Sequence, residues 1–97
     1  MLNTNEMKIF IEKHQLIEQS RVSFYRYIDD FDGLDEFDDI IINLYKVQMV
    51  INYQFDEPVE YLQILLSVLG NNVRFAEYSY LVTLSGEVID DSLIYCK

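Results

Sequence analysis

From Tyr45 to Phe55 the side chains alternate in character. Tyr45, Val47, Met49, Ile51, Tyr53 and Phe55 share one parity, and Lys46, Gln48, Asn52 and Gln54 share the other, with Val50 the exception. Only a pleated chain, with successive side chains on opposite faces, gathers such a polar set on one side. A helix would scatter it around its circumference. A strand over 45–55 is therefore expected, and one long helix over 34–54 is the competing reading.

Other elements follow from period and punctuation. Met7, Phe10, Ile11, His14 and Ile17 recur at helical spacing, so residues 5–19 read as an amphipathic helix. Asn3 followed by Glu6 has the spacing of a capping box. In the segment Arg21–Ile28, Val22, Phe24, Tyr25 and Tyr27 favour a strand over a continuation of the first helix. Gly33 breaks the chain, Asp32 is a suitable N-cap, and Leu34, Phe37, Ile41 and Leu44 fall on one helical stripe. A short helix over 34–44 is expected there.

Residues 56–69 read as a helix opened by Asp56 or Glu57 and Pro58 and stopped by Gly70 and Asn71. Within it Leu62, Leu65, Leu66 and Leu69 are predicted core residues. Two strands complete the chain, over 73–84 and 87–95, joined at Ser85-Gly86. The second is open to interruption at Asp90-Asp91. The expected fold is a single α+β domain over 1–97: a small antiparallel sheet of three to four strands packed against two to three helices. A hydrophobic fraction of 51% is ample for one core.

Charge bounds the function. The chain carries a formal net charge of -10 over 97 residues. Seven of the eleven residues from 29 to 39 are acidic: Asp29, Asp30, Asp32, Asp35, Glu36, Asp38 and Asp39. Such charge repels nucleic acid and anionic membranes and attracts cations and basic surfaces. A calcium loop does not fit. With Gly33 at the glycine position of an EF-hand, the first ligand would be Ile28, which cannot coordinate a cation.

His14 is the only histidine, which excludes a multi-histidine zinc site and reads as a packing residue. None of Ser20, Ser23, Ser67, Ser79, Ser85 and Ser92 lies in a nucleophile-elbow pattern. Cys96 is the only cysteine and sits next to the last residue, a poor place to hold a nucleophile. With no intramolecular disulfide possible, it points to a reducing, cytoplasmic setting. The first fifteen residues carry no apolar run of signal-peptide length. Arg21, Phe24, Tyr25, Arg26 and Tyr27 interleave bases with aromatics, but two arginines beside seven acids make a weak footprint for nucleic acid.

The expectation is therefore a non-enzymatic binding protein with no cofactor and no metal. Its acidic run, with Phe31 and Leu34 as apolar anchors and Phe37 beside them, would occupy a basic surface of a nuclease or other nucleic-acid-binding protein. Inhibitors of this kind include phage anti-defence antagonists, such as those directed at CRISPR effectors, and immunity proteins for nuclease toxins. The bias toward Ile, Asn, Tyr, Phe and Lys fits an AT-rich bacterial or phage gene. Direct contact with nucleic acid or membrane is not expected. Tyr78 and Tyr80 share one strand parity and would be interface candidates if exposed. The alternative is a structural or regulatory homodimer that uses the apolar 57–69 helix as its seam.

Overall fold

The computed structural model describes residues 3–29, 40–54 and 56–95, with Asp29 described by its backbone. Two helices, α1 (Thr4–Lys13) and α2 (Leu16–Asp29), precede four strands, β1 (Ile40–Asn52), β2 (Val59–Gly70), β3 (Val73–Thr83) and β4 (Val88–Tyr95). The strands form one antiparallel sheet in the order β1-β2-β3-β4, so each pairs with its neighbour in sequence. This is the expected α+β class.

Asn3 caps α1, its side-chain oxygen accepting from the Glu6 amide at 2.9 Å. The single helix expected over 5–19 is two helices. Gln15 takes a left-handed φ of 51°, and the Gln15 amide donates to the Glu12 carbonyl, which ends α1 at His14.

The strand expected over 21–28 is the body of α2. Leu16, Ser20 and Phe24 are buried at four-residue spacing, while Val22 and Arg26, on the strand parity of Phe24, are exposed. The aromatic residues that favoured a strand instead pack as helix residues. Phe24 and Tyr27 both meet the Tyr78 ring edge-on, with centroids 5.4 and 5.9 Å away.

The largest correction concerns residues 56–69. They do not form a helix; Val59–Gly70 is β2, a central strand paired on both sides. Leu62, Ile64, Leu66 and Val68 are fully buried on the helix side of the sheet. Tyr61, Gln63, Ser67 and Leu69 alternate with them on the far side and are half-buried. Of the predicted core residues, Leu62, Leu65 and Leu66 are buried and Leu69 is half-buried. The Gly70-Asn71 stop is a hairpin. Asn71 and Asn72 have φ of 51° and 69°, the positive values a two-residue type I′ turn requires, and Gly70 pairs with Val73 across it. The homodimer seam on a 57–69 helix therefore does not exist.

The alternation from Tyr45 is a strand, but that strand starts earlier, at Ile40. The helix expected over 34–44 is contradicted at 40–44, while 34–39 lie outside the described residues. Leu44 pairs with Leu66 and Lys46 with Leu65, so Tyr45 is the extra residue of a β-bulge. Bulges also place Phe75 in β3 and Ile89 in β4 as extra residues. The β3–β4 hairpin turns at Ser85-Gly86 as expected, with φ of 92° at Gly86. A Cβ at Gly86 would lie 2.6 Å from Nδ1 of His14, so glycine also admits the histidine ring there.

Among the described residues, no helix is long and apolar enough to cross a membrane.

Candidate functional site

The acidic run joins α2 to β1. Asp29 is the last residue of α2, and Ile40 is the first of β1. Asp30, Phe31, Asp32, Leu34, Asp35, Glu36, Phe37, Asp38 and Asp39 lie outside the described residues. The two elements that flank the run in sequence are tied together where Arg21 of α2 donates from Nη1 to the Ile42 carbonyl of β1 at 3.3 Å. Seven of the chain's 17 acidic residues fall in 29–39; the remaining ten face seven Lys and Arg. The run therefore carries most of the net charge of -10.

Among the described residues, a polar cluster spans α2, β3 and β4. The Tyr78 hydroxyl donates to Oδ2 of Asp91, and Ser23 of α2 lies beside this pair. Burial, followed by the Asp91 carboxylate, holds the Tyr78 hydroxyl well above the ordinary tyrosine range. The group stays protonated as a donor and cannot serve as a base near neutral pH. Ser23, Arg26, Tyr27, Val88 and Asp91 line a depression of about 440 Å³ here. Tyr78 and Tyr80, candidates for an exposed face, are fully buried in the core. Sequence parity places them together on one face; their sheet neighbours and α2 determine that this face is the interior.

A larger groove of about 880 Å³ runs between the helices and β1. Met7, Ile11, Ile17, Leu44 and Val47 supply its apolar wall, with Lys8, Glu12 and Glu18 among its lining residues. It exists because α2 packs over the middle of the sheet, leaving Leu44 of β1 42% exposed. No periodicity in the sequence signals this groove, because its walls come from elements distant in the chain.

On the far face of the sheet, Gln63 accepts from Gln48 and donates to the Ser79 hydroxyl, forming a line across three strands. Arg74 stacks 4.8 Å from the Tyr45 ring and pairs with Glu77. Lys46 also approaches Tyr45, at 5.4 Å.

His14 packs with Phe10, ring centroids 4.5 Å apart, consistent with a packing role. Arg21 and Arg26 lie on α2, the first half-buried and the second exposed. Among the described residues, no group of three or more His, Cys, Asp or Glu could hold a metal ion. Compared with protein-family models, curated proteins and solved structures, the chain finds no match.

Proposed function

We propose that this chain is a small acidic inhibitor that works in the cytoplasm, without catalysis, by occupying a basic surface of a nucleic-acid-acting protein. The observation that carries the reading is the placement of charge. Six of the seven acids of 29–39 lie between Asp29, the last residue of α2 and itself the seventh, and Ile40, the first residue of β1. Carboxylates so concentrated steer association with a basic groove and pair with the Lys and Arg that would otherwise contact phosphate. Phe31 and Leu34, within the run, are the apolar anchors of the contact. A phage anti-defence antagonist and an immunity protein against a nuclease toxin both work this way.

Capture from the native host followed by binding kinetics tests the reading. Replacing Asp35, Glu36, Asp38 and Asp39 by Asn or Gln should leave the fold intact and slow association with the captured partner. The loss should be larger in low salt than in high salt, because steering is screened beyond about 8 Å at physiological ionic strength. A partner without a basic groove, or association rates that do not respond to the four substitutions at low salt, would rule the reading out.

A further inference from the structure

β1 is an edge strand of 13 residues. Among the described residues, no strand pairs with its outer side, so its outward N–H and C=O groups form a template for another strand. The opposite edge is blunted: β4 has only eight residues, with Asp90 and Asp91 side by side. By contrast, β1 carries Lys46 as its single charge and has no acidic residue. In a chain of net charge -10, a second copy therefore meets no carboxylate from β1 itself along this edge.

We infer that β1 pairs antiparallel with β1 of a second copy across a twofold axis at Met49, joining two sheets into one of eight strands. Three observations fix this register. First, Lys46–Asn52 is the stretch of β1 that follows the bulge and pairs with β2 without a further shift. Second, this stretch is self-complementary. A twofold axis at Met49 sets Val47 opposite Ile51 of the partner on the helix side, where Val47, Met49 and Ile51 are half-buried. On the far side it sets Lys46 opposite Asn52 and Gln48 opposite Val50, whereas an axis at Lys46 would set two ammonium groups face to face. Third, it separates the two residues at which the acidic runs join β1. Each run attaches at Ile40, nine residues from the axis, so the two attachment points lie about 60 Å apart at the rise of a strand, far beyond the screening length. The partner's Ile51 also falls beside Val47, which lines the apolar groove. The interface is isologous, as closed dimers require.

The inference is independent of the proposed inhibitor role, which concerns residues 29–39. The test uses the full chain. Light scattering across the accessible concentration range should give twice the chain mass of 11.6 kDa. In a Cys96→Ser background, Met49→Cys should form an intermolecular disulfide under mild oxidation several-fold faster than Tyr45→Cys. Residues directly opposite in an antiparallel pair have Cα atoms about 4.5 to 5.5 Å apart, within disulfide range. Circular dichroism of both variants checks that the fold is kept. A monomer at every concentration would leave the edge free for a foreign strand and overturn the inference. A dimer in which the two variants cross-link equally fast would place the contact elsewhere and overturn it too.

Discussion

At the scale of single residues, Tyr78 combines most of what the interior asks of one side chain. Its ring meets Phe24 and Tyr27, and its hydroxyl donates to Asp91, which is half-buried. Tyr78→Phe keeps the ring contacts and removes a hydrogen bond to a charged group, so it should cost about 1.5 to 3 kcal/mol at neutral pH. The pH dependence has a definite sign. The folded state holds the Tyr78 proton above the ordinary value, whereas the unfolded chain releases it near pH 10. Above that pH the unfolded state binds fewer protons than the folded one, and stability falls by up to about 1.4 kcal/mol per pH unit. The stabilisation is thus complete below about pH 10 and is lost as pH rises from there. Urea melts of wild type and Tyr78→Phe should differ at neutral pH and converge in strong alkali. Parallel curves throughout would mean that the hydroxyl is not held in this bond.

At the scale of elements, the local period misleads where it is interrupted or hidden. β2 is a central strand whose far side carries Tyr61, Leu65 and Leu69, so its sequence is apolar on both parities and matches a buried helix equally well. The informative signal was Gly70-Asn71-Asn72 between two apolar runs, which is hairpin chemistry. In β1 the bulge at Tyr45 shifts the helix-side residues from Ile40, Ile42 and Leu44 to Val47, Met49 and Ile51. Ahead of the bulge, Ile41 and Leu44 fall by chance on a helical stripe with Leu34 and Phe37. The Asn3 cap and the Ser85-Gly86 turn were legible because each depends on two or three adjacent residues. The groove beside β1 was not legible, since its shape depends on where α2 lands on the sheet. A test of the Asn71-Asn72 turn follows. Glycine takes positive φ without steric cost, so Asn72→Gly should stabilise the protein by up to about 1 kcal/mol, and Asn72→Val should destabilise it by about 1 to 2 kcal/mol. Thermal melts that rank the two the other way would contradict a left-handed residue at 72.

For the molecule as a whole, charge opposes compaction. Seven acids in eleven residues repel one another, and salt relieves this by shortening the screening length from about 10 Å at 0.1 M to about 3 Å at 1 M. Stability should therefore rise with sodium chloride. The variant neutralised at Asp35, Glu36, Asp38 and Asp39 should be more stable than wild type at low salt, by about 1 kcal/mol from several repulsions of a few tenths each. The gap should close as salt is added. Denaturant titrations in matched buffers measure both; a variant less stable than wild type at low salt would show that the acids make favourable contacts within the fold.

The strand order has a consequence for how the molecule is made. A meander in which each strand pairs with the one before it has mostly short-range connections, and such topologies fold quickly once the whole chain is present. During synthesis the order of appearance works against it. The helices emerge first, and Phe24 of α2 must wait for Tyr78, about fifty residues later and so roughly three to ten seconds at ordinary translation rates. Through that interval Leu16 and Phe24 have no sheet to cover them. The nascent chain is thus most vulnerable to aggregation and proteolysis just before β3 is complete, and a hairpin of β2 and β3 closed by only two residues keeps that window short.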